Sequence, residues 1–319
     1  MDMYVQAQPI MRFRQFTERD ENFGANRGNT LLFDKNFNVD TEGGPLNENQ
    51  PFPKTGYRTK QGSVVATEYG NSIPYTEKLE RLSKFNLSDN THRAIINDMA
   101  KTMNRAAHAP WPSTKIYYTP KGTTTPSFYW KVQTGNVTDQ AATRSIGVTD
   151  LIAMREALAS GVYITTFSAV ATTATASPVP PYDDDGNYMI LTSVGGASAL
   201  RRDSDFINAA LYGDPERLFA GEIGRFHGFR IVEENHILSN FLGTQEFKGE
   251  MYAFGTEVVK EIVILPEEIR RGVPLDGGRD KAFYWYGIVG FGLIWSFNGT
   301  VGDVSNYEPE NRAVRVWST

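Results

Sequence analysis

Gly221-Glu222-Ile223-Gly224-Arg225-Phe226-His227-Gly228-Phe229-Arg230-Ile231-Val232-Glu233-Glu234-Asn235 is the stretch that decides how this chain is read. Gly221, Gly224 and Gly228 recur at short intervals ahead of an apolar run. Glycine in such a place serves a backbone that turns sharply or takes a positive φ. Phe229, Ile231 and Val232 then read as a strand that ends in the charged pair Glu233-Glu234. The expectation is a tight turn at Gly221–Gly224 leading into a strand.

Upstream, Ser198–Tyr212 has helical spacing, with Leu200, Phe206, Ile207, Ala210 and Leu211 apolar and Gly213 as the stop. Tyr188–Ser193 reads as a buried strand. Ala171–Asp185 is a low-complexity run expected to be a surface loop, and Tyr163–Val170 is strand-like. Gly147–Ala159 reads as a helix capped by Thr149, with Leu151, Met154 and Leu158 inward and Gly161 just past its end. Downstream, Met251–Phe254, Val258–Leu265 and Ala282–Phe297 are rich in aromatic and β-branched residues and read as strands. Pro266–Gly272 reads as a short helix or turn, and Arg312–Trp317 as a closing strand.

Further from the opening stretch, Ser88–Ala109 is the clearest helix. Ile95, Met99 and Met103 share one face with Ile96, Ala100 and Ala107, Ser88 or Asp89 caps it, and Pro110 stops it. Strands are expected at Lys115–Thr119 and Ser127–Gln133. Residues 31–61 are long and polar, with Pro45, Pro51, Pro53 and a Gly43-Gly44 pair, which is unusual inside a compact domain. Ser63–Tyr69 and Ser72–Thr76 read as two strands about a Gly70-Asn71 turn. Ile10, Phe13 and Phe16 allow a short helix up to about Arg19, in a segment with too little apolar content for a core of its own.

The chain has 319 residues, enough for two domains or one large one. A hydrophobic fraction of 40% and a charged fraction of 22% are those of a globular protein. A net charge of −5 argues against a nucleic-acid-binding protein built on a broad basic face. The absence of cysteine removes disulfides, thiolate metal sites and cysteine nucleophiles. Met1–Gln6 has no basic region followed by an apolar run, so no signal peptide is expected. No apolar window reaches membrane-spanning length.

Catalytic patterns are weak. There is no P-loop, no His-Glu-x-x-His and no Gly-x-Ser-x-Gly elbow. Gly287–Gly292 lies inside an aromatic strand and reads as a packing device rather than a dinucleotide fingerprint. Asp183-Asp184-Asp185 lacks the alternate spacing of a calcium loop and reads as a solvated acidic loop. His92, His108, His227 and His236 are scattered, although His227 and His236 flank one strand and a shared site is conceivable. No catalytic, cofactor or metal residues are assigned.

Several segments, taken in order, resemble the major capsid proteins of tailed bacteriophages, in particular a podophage-type family. They are Glu68-Tyr69-Gly70-Asn71-Ser72-Ile73-Pro74, the long helix, Gly147–Leu158, Tyr188–Tyr212, Gly221–Asn235, Met251-Tyr252-Ala253-Phe254-Gly255 and Ile264-Leu265-Pro266-Glu267-Glu268. The resemblance implies an α+β capsid fold of the HK-ninety-seven type. It implies an N-terminal arm (1–30), an extended β-hairpin loop (31–76), a peripheral domain (77–146 and 250–319) with spine helix 88–109, and an axial domain (147–249). It implies a non-enzymatic, cofactor-free subunit that assembles in a host cytoplasm into hexamers and pentamers of an icosahedral virion shell. Its expected partners are copies of itself, a scaffolding protein, decoration and portal proteins, and packaged double-stranded DNA held without sequence specificity, with no membrane. Phe13, Phe16, Phe37, Leu46 and Phe52 are the expected inter-subunit contacts. A nanocompartment shell enclosing protein cargo and a strand-rich surface binding module remain alternatives.

Overall fold

The computed structural model describes residues 9–21, 28–39, 43–48, 51–84, 86–121, 127–132, 145–165, 172–203, 205, 222–238, 249–274, 276–298 and 308–318. The opening stretch forms a hairpin of β10 (Glu222–Phe226) and β11 (Phe229–Glu233). The turn is His227-Gly228, whose φ values of 45° and 77° are both left-handed. That is the primed geometry that matches strand twist. Glu222-Ile223-Gly224 is therefore strand, with a register shift between Glu222 and Gly224, and not the expected turn.

β11 lies parallel to β9 (Tyr188–Thr192), which pairs antiparallel with β12 (Gly249–Phe254). β15 (Ala313–Ser318), β5 (Ile116–Lys121) and β6 (Ser127–Val132) complete a seven-stranded sheet in the order β10-β11-β9-β12-β15-β5-β6. Every residue of β9 is buried, because both faces of the sheet are covered. Tyr188 and Ile190 meet Leu151, Met154 and Leu158 of α3 (Val148–Ser160) and Leu200 of α4 (Val194–Arg202). Met189 and Leu191 point the other way, toward Phe13, Ala107 and Trp111. The alternation follows from the two-residue period of a strand.

A second sheet has the order β1-β13-β14-β4, from Thr17–Asp20, Val259–Arg271, Asp280–Leu293 and Thr67–Thr76. α2 (Leu87–His108) lies on it. Ile95 and Met103 are fully buried against Val263, Phe283, Trp285 and Val289, and Met99 packs beside them. Each such side chain contributes roughly 1.5–3 kcal/mol by burial. Ile96 is on the exposed side, and the helix is capped by Asn86, whose Oδ1 accepts from the Asp89 amide at 3.3 Å, rather than by Ser88 or Asp89.

Two expected turns are strand here. β4 runs through Gly70-Asn71, with Gly70 opposite Tyr286, and its Pro74 is tolerated because β4 is an edge. β13 continues past Pro266 by register shifts on either side of Leu265, so that Glu268–Arg271 pair with Phe283–Tyr286. Three further differences concern element ends. Phe13–Phe16 is a single 3-10 turn that leads into β1. Thr172–Thr175, expected in a surface loop, forms β8 and pairs with β7 (Val162–Thr165). α4 starts earlier than expected, at a Ser193 cap, and the rest of the expected helix, residues 206–212, lies outside the described residues. A short α1 (Glu77–Leu82) also precedes α2.

The strand memberships cut across the expected segments. β5, β6, β12 and β15, from 77–146 and 250–319, are hydrogen-bonded into the sheet of β9–β11 rather than into the sheet beneath α2. The two sheets share one apolar cluster, in which Ala107 of α2 and Val259 of β13 meet Met189, Leu191 and Phe254.

β2 (Thr30–Asn36) and β3 (Thr59–Val65) form a separate hairpin that crosses β14. Gly287, Gly290 and Gly292 make close approaches possible along that strand. A Cβ on Gly290 would lie 2.5 Å from the Val65 carbonyl, and one on Gly292 would lie 2.7 Å from Val64 Cγ2. Gly290→Ala should therefore cost about 1–3 kcal/mol in denaturant unfolding through overpacking. Gly44→Ala, where a Cβ meets nothing within 4 Å, should stay within about 0.5 kcal/mol.

Candidate assembly surface

The β2–β3 hairpin is held at its root by a buried ion cluster. Lys35 and Lys60 face each other across the ladder. Like charges in register repel, and the carboxylate of Glu308 resolves the conflict. Lys35 Nζ lies 2.9 Å from Glu308 Oε1 and Lys60 Nζ 3.3 Å from Oε2. The Ser296 amide and hydroxyl donate to the same carboxylate at 2.7 and 3.2 Å. Glu308 has no exposed surface and Lys35 only 5%, so the pair is desolvated, and four donor atoms converge on the carboxylate. Phe37 seals the root against Trp295, with ring centroids 6.2 Å apart. On the next residues inward, Phe33 fills the space over Gly62, where a Cβ would be 2.4 Å from its ring.

Beyond this root the described loop residues are exposed. Leu46 is 44% exposed, Tyr57 63% and Phe52 80%. These are apolar groups presented to solvent on a segment whose base is rigid. Of the expected contact residues, Leu46 and Phe52 thus lie free, while Phe37 belongs to the root.

Phe13 and Phe16 lie elsewhere. Phe13 is completely buried in its own subunit, with its ring 4.7 Å from His108, 5.7 Å from Trp111 and 6.0 Å from Tyr252. Phe16 packs edge-on against Phe254 and Tyr182. These contacts give Phe13 no surface to offer another subunit, a correction to the expectation. The segment 9–20 is anchored, because Phe13 N–H donates to Asn104 Oδ1 at 3.1 Å and Arg14 pairs with Glu261 and Glu267. Asn104 Nδ2 donates to the buried Glu234, which also accepts from the amides of His236, Ile237 and Leu238. Burial pushes His108 down to about 4, and burial also lowers His236.

The remaining motifs are accounted for by packing. Asp183 is taken by Arg230 at 2.7 Å and by Asn187. His227 and His236 sit at opposite ends of β11 and do not form a joint site. Among the described residues no three His, Cys, Asp or Glu side chains are grouped to hold a metal ion, and no helix is long and apolar enough to cross a membrane. Sequence reading missed Glu308 and Ser296, since a glutamate in Tyr-Glu-Pro-Glu carries no local signal. The nearest hint was the lysine pair of the hairpin.

No protein-family model and no curated protein sequence matches the chain. Solved structures do. A chain of the capsid of Helicobacter pylori bacteriophage KHP30 superposes with a TM-score of 0.67 at 12% identity, over 99% of this chain and 94% of that one. The head of Helicobacter pylori bacteriophage KHP40 gives 0.68 at 12%, over 100% and 93%. The chain carries the fold of tailed-phage major capsid proteins. The capsid asymmetric unit of cyanophage Pam1 agrees, with a TM-score of 0.63 at 11% identity over 99% and 94%. The expected capsid fold is thus met across the whole chain, at an identity where motif resemblance alone is slight.

The ion cluster makes a sharp prediction. Glu308→Gln leaves Lys35 buried without a counter-charge and should cost about 3–5 kcal/mol in denaturant unfolding, with faster proteolysis in 37–58. Lys60→Ala removes a partner that is one-third exposed and should cost less than about 1 kcal/mol.

Proposed function

We propose that this protein is the major capsid subunit of a tailed bacteriophage, a structural rather than catalytic protein. Copies of it form hexamers and pentamers that close into an icosahedral shell around double-stranded DNA. The observation that carries this reading is the near-complete, two-way coverage of capsid structures. The exposed loop is the second support. Phe52 and Leu46 are a liability for a lone chain and an asset for one that meets a neighbour.

In this reading residues 37–58 are the inter-subunit contact, with Leu46 and Phe52 as anchors. Weak contacts of this kind become strong when many copies engage at once. α2 with the four-stranded sheet makes the peripheral domain, the seven-stranded sheet with α3 and α4 the axial domain, and residues 9–20 the base of the N-terminal arm. Subunit contacts are heterologous and close on themselves. The net charge of −5 suits a container that must release its DNA. A scaffolding protein during assembly in the host cytoplasm, and decoration and portal proteins on the virion, complete the proposal.

Deletion of 38–57, and separately Phe52→Asp, should give a folded subunit with the parent's circular dichroism that no longer forms particles on size exclusion and negative-stain microscopy. Normal particles from both variants would sink the contact role of the loop.

A further inference from the structure

Two partly buried histidines converge on the seat of Phe13 from different elements. His108, at the end of α2, packs against the Phe13 ring at 4.7 Å. Its Nε2 lies 3.3 Å from the Tyr252 hydroxyl, and that hydroxyl donates to Glu250 at 2.8 Å. Nε2 is therefore the protonated nitrogen of the neutral ring. His236, just after β11, acts through Asn104. The Asn104 Nδ2 lies 3.0 Å from His236 Nδ1 and donates to Glu234 at 3.1 Å. Its Oδ1 receives the Phe13 amide at 3.1 Å.

The orientation of the Asn104 amide is forced, because the Phe13 N–H can only donate. His236 Nδ1 must then accept, which requires the neutral ring. A proton on Nδ1 sets two donors face to face. Flipping the amide to satisfy the new donor would turn Nδ2 against the Phe13 N–H and remove the bond to Glu234. A charged His236 thus either opposes the Asn104 amide that holds Phe13 or forces the flip that releases the Phe13 N–H, and both weaken the seat of the Phe13 backbone. A charged His108 adds a cation among Phe13, Trp111 and Tyr252, which is costly to desolvate.

We propose that residues 9–20 are an acid-sensitive latch, released from their own subunit when His108 and His236 take up protons. This does not depend on the assembly reading. The other charged groups around the latch are already committed. Glu250 favours a charged His108, but it is held by Arg315 at 2.7 Å and by Tyr252. Arg315 itself opposes the charge on His108. Near His236, Glu234 favours the charge while Arg105 and Lys101 of α2 oppose it. On the latch, Arg14 is engaged by Glu261 and Glu267.

The sign follows from linkage. Release takes Phe13 off the His108 ring and frees Asn104 from the Phe13 amide, so both rings move back toward the ordinary value of about 6.5. Docked, His108 titrates at about 4. The released state binds more protons between those values, so docking is complete above about pH 6.5 and weakens as pH falls toward 4. For His108 the equilibrium shifts by at most about tenfold per pH unit across that window, and His236 adds in the same direction.

The chain has no cysteine, so Gln15→Cys introduces a unique site for a fluorescent label. Label anisotropy should fall between about pH 6.5 and 4 while far-UV circular dichroism stays constant. In the His108→Gln/His236→Asn variant, which keeps a donor toward Tyr252 and an acceptor toward Asn104 without titrating, the fall should move at least one pH unit lower. If the double variant does not fold at pH 8, His236→Asn alone should shift the fall in the same direction by less. A parent whose anisotropy holds until the whole chain unfolds would overturn the latch. So would a folded variant that releases at the parent's pH.

Discussion

The buried carboxylate of Glu308 is the constraint on which the β2–β3 hairpin and its exposed loop depend. β2 and β3 bring Lys35 and Lys60 into register, an arrangement that repels itself in isolation. Glu308, more than 240 positions away in the chain, bridges the two ammonium groups and takes two further hydrogen bonds from Ser296. The hairpin can therefore form stably only on the completed fold. Its root is fixed in direction by this cluster, by Phe37 on Trp295 and by the glycine-lined face of β14, while its loop carries exposed apolar side chains.

The N-terminal segment is handled in the same way. A buried glutamate, Glu234, gathers three backbone amides and Asn104, and Asn104 holds Phe13. In both cases an extended piece of chain without its own core is tied down by one desolvated carboxylate. Such a carboxylate is weak as a source of net stability, but removing it leaves the groups it holds buried and unpaired.

What was legible in the sequence was whatever depends on local periodicity. Tyr188–Thr192 reads as buried because both of its faces are apolar, and it is covered on both. Ile95, Met99 and Met103 define the inner face of α2, and Gly161 ends α3 with a left-handed φ of 72°. The errors fall where distant partners override local punctuation. Gly70-Asn71 and Pro266 look like turns, yet β14 pairs with the chain on both sides of each and draws them into strands. The glycines of the opening stretch suggested a turn three residues too early, since His227 supplies a positive φ that sequence reading assigns to glycine. Phe13 looked unanchored because its partners come from α2, the following 3-10 turn and β12. Glu308 was invisible for the same reason: its significance is created by two lysines and a serine that only the tertiary fold assembles.

The most direct measurement is cryo-electron microscopy of the full-length chain, expressed with and without a phage scaffolding protein. Closed icosahedral shells are expected in at least one condition, with density for residues 37–58 lying across the adjacent subunit and Phe52 covered. A soluble monomer that assembles under neither condition would contradict this expectation, as would shells in which this loop touches only its own subunit.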